Sequence, residues 1–186
     1  MSTPTLQVII ASTRPGRVGT KVAEYVLERI GARDDFEVEV LDLAEIDLPL
    51  LDEPNHPRLR RYTKDHTKRW SATISRGDAF LIVMPEYNYS YNAALKNALD
   101  YLHVEWRGKP VALCSYGGIS GGLRAAVAIT VPLTALGMRV SQAAVSIPFV
   151  ASHIEDGRFV GYDLVDQAID AAYQALVRMH SERRLD

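Results

Sequence analysis

One cysteine in 186 residues, Cys114, leaves no partner for an intramolecular disulfide. Its place inside "PVALCSY" gives it the expected role of a small buried hydrophobe, with a nucleophile as the alternative. No apolar run reaches the ~18 residues that a bilayer-spanning helix requires, and the opening "MSTPTLQVII" has no basic stretch of the kind that starts a secretory signal. Charge of one sign is also missing. The chain carries 21 Lys and Arg against 23 Asp and Glu, a formal net charge of −2, which gives no nucleic-acid footprint. Its one basic run, residues 58–69, contains Asp65 and reads as a solvated helix face rather than a phosphate patch. The five histidines, His56, His66, His103, His153 and His180, share no ligand spacing with cysteine or carboxylates, so no metal site is expected. What these absences leave is a soluble cytoplasmic protein, one domain over residues 1–186, with no nucleic-acid or membrane partner.

What is present is alternation. Short β-branched segments recur at 5–11, 36–41, 78–84, 109–115 and 138–145, and helical periodicity fills 18–31, 59–76, 91–102, 121–136 and 163–181. "LIVM" and "VALC" are continuous apolar runs, as expected of strands covered on both faces. Five β-α units imply a parallel sheet between two helical layers. Pro132 lies inside the fourth helical pattern and is expected to kink or split it.

In such a sheet, ligands bind beyond the carboxyl ends of the strands where the strand order switches. Three segments fall there. After the first strand comes "ASTRPGRVGT", in which hydroxyls, glycines and two arginines precede a helix and suit a phosphate, or equally make an ordinary turn and N-cap. It matches neither G-x-G-x-x-G nor the Walker pattern, so a monophosphate is the better guess. After the third strand comes "PEYNYSY", whose ring-bearing residues either wall a planar heterocycle or pack against the protein itself. After the fourth comes "SYGGISGG", glycines that permit close backbone approach to a flat ligand or only form a flexible turn.

Together "ASTRPGR", "PEYNYSYNAALKNALDYL" and "SYGGISGGLRAA" resemble the NADPH-dependent FMN reductase family of flavodoxin-like proteins, which includes quinone, azo-dye and chromate reductases. The resemblance implies an α/β, flavodoxin-like three-layer sandwich with a five-stranded parallel sheet in the order 2-1-3-4-5. It implies bound FMN, with NADPH and possibly NADH as co-substrate, a small-molecule electron acceptor, and a homodimer or homotetramer. Carried over, Ser12, Thr13, Arg14, Val18, Gly19 and Thr20 hold the FMN phosphate, with Arg17 as an addition. Pro85, Glu86, Tyr87 and Asn88 flank the isoalloxazine, mostly through backbone atoms, and Ser115, Tyr116, Gly117 and Gly118 close the other side. No side chain is assigned as a catalyst, and Glu86 reads as a positioning residue rather than a general acid. Tyr91, Leu95 and Tyr101 are expected to be exposed for a subunit contact. The rival reading is a flavodoxin-type electron carrier that does not oxidise NADPH.

Overall fold

The computed structural model describes residues 3–183. A parallel sheet forms its centre, from β1 (Thr5–Ile10), β2 (Glu37–Asp42), β3 (Ala79–Pro85), β4 (Pro110–Tyr116), β5 (Arg139–Val140) and β6 (Val145–Ile147). The order is β2-β1-β3-β4-β5, and β6 also pairs with β4. Six helices surround it: α1 (Gly19–Ile30), α2 (Leu43–Ile46), α3 (Asp65–Arg76), α4 (Ala93–Asp100), α5 (Leu123–Ala135) and α6 (Asp163–Arg183). A small hairpin of β7 (Ile154–Glu155) and β8 (Arg158–Phe159) precedes α6.

Strand alternation builds the layers. Leu81 and Val83 join Val22, Val26, Ile169 and Leu176 of α1 and α6, while Phe80 and Ile82 join Trp70, Leu99 and Ile129 of α3, α4 and α5. Successive side chains of one strand therefore feed two cores, which is why β3 is apolar throughout and β4 is apolar over Pro110–Cys114. Cys114 is wholly buried in the first core, and desolvation pushes its thiol pKa up to about 12, so it is an inert packing residue. Among the described residues, no helix is long and apolar enough to cross a membrane, and no group of three or more His, Cys, Asp or Glu is placed to hold a metal ion.

Four sequence expectations need correction. The fifth strand is not continuous over 138–145 but breaks between β5 and β6, where Ser141 Oγ accepts from Ala143 N at 3.1 Å and turns the chain. Both halves return to β4, at Val111↔Val140 and Cys114↔Val145, so this strand carries extra residues between those pairs and bulges. Helix α3 starts at Asp65 rather than at 59, because Pro57–Leu59 forms a 3-10 turn that Arg60, at φ 50°, ends in the left-handed region. Pro132 does not split α5, since it falls near the end of the helix on a partly solvated side, where the carbonyl it leaves free needs no protein donor. Leu95 and Tyr101 are not exposed: Leu95 packs in the second core, and the Tyr101 hydroxyl lies under the loop after α2, donating to Pro49 O at 3.0 Å and Asp52 Oδ1 at 3.1 Å. Asn97 ties the same loop down, donating to Pro49 O and accepting from Leu51 N.

Candidate active site

The carboxyl ends of β1, β3 and β4 lie side by side at the switch in strand order, so the three loops that follow them meet. They enclose a crevice of about 180 Å³ lined by Ser12, Arg14, Gly16, Arg17 and Val18 from the first loop, Pro85, Glu86 and Tyr87 from the second, and Tyr116 and Gly117 from the third. Val150 completes it from a 3-10 turn beyond β6. Contacts across the gap fix the loops to one another. Ser12 Oγ and Tyr87 Oη share a hydrogen bond of 3.0 Å, Asn92 Nδ2 donates to Ala11 O at 2.6 Å, and Glu86 N donates to Tyr116 O at 3.0 Å.

One end of the crevice suits an anion. The N–H groups of Val18, Gly19 and Thr20 at the start of α1 have no acceptor among the described residues, and the helix dipole adds partial positive charge there. The Arg14 side chain lies there too, with no hydrogen bond or ion pair among the described residues, while its carbonyl accepts from Arg17 N. Arg17 differs. Its guanidinium grips Asp42 through two hydrogen bonds of 2.5 Å and also donates to Ser12 O, so it braces the loop against the end of β2. The hydrogen bond it donates to Asp42 is the main reason its pKa is raised. Replacing Arg17 with methionine is expected to destabilise the apoprotein by on the order of 2 kcal/mol in chemical denaturation, because Asp42 is left largely buried without its cation. A variant of unchanged stability that binds phosphate ligands poorly would instead put Arg17 at the anion.

Glycine is required at position 19 by space rather than conformation. A Cβ there would lie 2.6 Å from Tyr116 Oη and 3.5 Å from Ser12 Cβ. The Tyr116 hydroxyl is buried next to Ser12 without a hydrogen bond of good geometry, and desolvation above all raises its pKa, so it is protonated beside the anion end.

The other end is flat and narrow. Pro85 and Gly117 offer little side-chain bulk, and a Cβ on Gly117 would come within 3.2 Å of Gly122 N and 3.5 Å of Glu86 Cβ. Burial would raise the Glu86 pKa, but hydrogen bonds from Ser120 and Arg124 outweigh it and hold the pKa below the ordinary carboxylate value. Glu86 is thus an anion at neutral pH and a poor proton donor.

Several expected residues sit outside the lining, Gly19 and Thr20 among them, which adjoin it through Val18 at the start of α1. Thr13 borders a separate hollow with Leu43, Leu48 and Ala94. Ser115 is buried and shapes the glycine loop by donating to Gly121 O at 3.0 Å. Gly118 accepts from Phe149 N at 2.9 Å, while Asn88 occupies a turn at φ 48°. The N–H groups of Glu86 and Tyr87 are engaged with Tyr116 O and Ser90 O, so within that stretch Asn88 has the free backbone donor. Gly16 belongs to the quoted first loop without an assigned role of its own, and Val150 was not anticipated. No chemical motif marks Val150, which arrives because Phe149 N and Val150 N bond back to Gly118 O and Gly117 O.

This geometry fits FMN: unsatisfied N–H groups and a free arginine at one end, a buried hydroxyl without a hydrogen bond of good geometry beside them, and a flat slot at the other. The family model for NADPH-dependent FMN reductase matches residues 4–152. An NAD(P)H-dependent FMN reductase from Nectria sp is 40% identical over 164 residues, covering 82% of this chain and 81% of the relative. A quinone reductase from Pseudomonas putida is 34% identical over 141 residues, covering 73% and 72% of the two chains. In fold, the flavoenzyme FerB of Paracoccus denitrificans superposes with a TM-score of 0.76 at 23% identity over 97% of this chain and 98% of its own. The order of the sheet, the three loops at its switch point and these likenesses agree: the chain belongs to the NADPH-dependent FMN reductase family.

Proposed function

We propose that this chain is an FMN-dependent NAD(P)H oxidoreductase that reduces a small acceptor such as a quinone, an azo compound, a metal oxyanion or free flavin. The observation that carries this reading is the pairing, in one crevice, of a cationic and N–H-rich end with a flat end between Pro85, Tyr87 and Gly117. The chemistry that FMN supplies when bound is two-electron transfer, with hydride taken from the nicotinamide and electrons passed on to the acceptor in ping-pong order.

The residues bind and orient. Arg14 and the α1 N-terminus hold the phosphate, and the Ser12–Tyr87 hydrogen bond closes the loops around it. Pro85, Tyr87 and Gly117 would flank the planar end of FMN, and by fixing its orientation would let proximity and alignment serve the transfer. Glu86 is held ionised and, among the described residues, no other carboxylate lines the crevice, so no carboxylic acid there is poised to give the acceptor its protons.

A homo-oligomer belongs to the same proposal. Leu123, Val127 and Val131 form an exposed stripe along α5, a helix with one charged residue, and Ile119 extends it toward the crevice. Sedimentation equilibrium is expected to give a dimer or tetramer, and a monomer at all concentrations would remove this part. The test of the function is NADPH oxidation by the FMN-loaded protein with a quinone present. Turnover supports the reductase, whereas FMN retained without NADPH oxidation would favour the electron carrier.

A further inference from the structure

Beyond the crevice lining, one side chain joins both ends of an unfavourable turn. Tyr87 and Ser90 exchange backbone hydrogen bonds of 2.8 and 3.0 Å, and the two residues between them, Asn88 and Tyr89, both have positive φ, 48° and 69°. This is the geometry of a two-residue hairpin turn of the type that favours Asn-Gly. Asparagine tolerates the first position, but a bulky aromatic at the second is strained. Tyr89 is also 70% exposed, so core burial does not hold it there. What it does touch is Arg124, whose guanidinium carbon lies 4.0 Å from the ring centroid. Arg124 is anchored in turn at the residue just before the turn. Its Nη1 donates to Glu86 Oε1 at 3.0 Å and its backbone N to Glu86 Oε2 at 3.1 Å, on a carboxylate side chain only 9% exposed.

We propose that Arg124 is a positioning residue that clamps the Asn88–Tyr89 turn, through Glu86 on one side and the Tyr89 ring on the other, and so holds Tyr87 against Ser12 and keeps the cofactor crevice formed. The chain of contact runs from α5 to the turn, from the turn to Tyr87, and from Tyr87 Oη to Ser12 Oγ in the phosphate loop. This role rests on the FMN-site reading above for its effect on cofactor binding, but the clamp itself is a property of the apoprotein. Lysine at position 124 would satisfy Glu86 without the planar face that stacks on Tyr89, and so would restore only part of the function.

The test combines two readouts. In apoprotein, amide exchange at Tyr87 and Ser90 is expected to speed up about tenfold in Arg124→Gln and less in Arg124→Lys, because the turn opens more often. In titrations of apoprotein with FMN, Arg124→Gln is expected to raise Kd about tenfold, with Tyr89→Phe unchanged because the ring is kept. Glycine at position 89 removes the strain that the clamp opposes, so the loss caused by Arg124→Gln should shrink in a Tyr89→Gly background. Unchanged amide exchange in Arg124→Gln would overturn the clamp even if FMN binds as expected. Full additivity of the two substitutions would overturn its action through the turn. A wild-type protein that binds no FMN, but whose Tyr87 and Ser90 amides still respond to Arg124→Gln, would leave the clamp standing and remove the cofactor reading.

Discussion

Arg14→Ala is expected to weaken FMN binding by about 10- to 100-fold, the loss of one or two charge-assisted hydrogen bonds of about 1.5–3 kcal/mol. The expectation follows from a contrast between two arginines three residues apart. Arg17 is fixed on Asp42, whereas Arg14 lines the same crevice and has no anion of its own among the described residues. Removing Arg14 therefore leaves no buried carboxylate stranded, and the apoprotein should unfold as the wild type does. Its contribution should also diminish as salt rises, since the side chain is exposed. Fluorescence titration of FMN into apoprotein measures the effect, and an unchanged Kd would take Arg14 out of the phosphate site.

Gly19→Ala is the second large effect. The backbone at position 19 is helical, so alanine meets no conformational penalty there and by propensity would favour the helix. Space decides the outcome instead. The new methyl would lie 2.6 Å from Tyr116 Oη, on a ring only 5% exposed, so either the tyrosine or the first turn of α1 must shift. A clash of this kind costs about 1–3 kcal/mol. It also moves the N–H groups meant for the phosphate, so FMN affinity should fall by on the order of tenfold or more. Tyr116→Phe deletes the atom responsible and leaves the ring carbon at 3.5 Å, an ordinary contact, so the double variant should regain the stability lost in Gly19→Ala. Alone, Tyr116→Phe removes a buried hydroxyl without a hydrogen bond of good geometry and should unfold no earlier than the wild type. A Gly19→Ala protein with wild-type stability and wild-type FMN affinity would show that the helix start is not held against Tyr116.

How legible these features are in the sequence depends on the range of the interaction that creates them. The parallel, doubly covered sheet follows from local signals, since apolar runs such as "LIVM" and "VALC" require strands covered on both sides and the crossovers between parallel strands are right-handed, whereas its order comes from the family resemblance. The three site loops follow from the same signals, because a switch point brings together whatever succeeds those strands. The break between β5 and β6 escapes because a serine hydroxyl competing with the sheet ladder looks, in sequence, like any polar residue of a strand. The burial of Leu95 and Tyr101 escapes for a different reason. A helical pattern shows which residues share a face, but not that a loop some fifty residues earlier in the chain will lie over it, as Pro49 and Asp52 do on Tyr101. The roles of Arg17 and Arg124 belong to the same class. Each sits in a motif that resembles a ligand cradle, and each is engaged by a carboxylate from a distant segment, Asp42 or Glu86. Arg14 has no such carboxylate among the described residues, which is the distinction that sequence does not contain.

The most direct measurement is an anaerobic addition of NADPH to the FMN-loaded protein while the visible flavin absorption is followed. Rapid bleaching, with colour restored on adding a quinone, is the expected result and identifies the crevice as a site of electron transfer from nicotinamide to a small acceptor. Bound flavin that stays oxidised in excess NADPH and NADH would contradict it and leave an FMN-binding carrier.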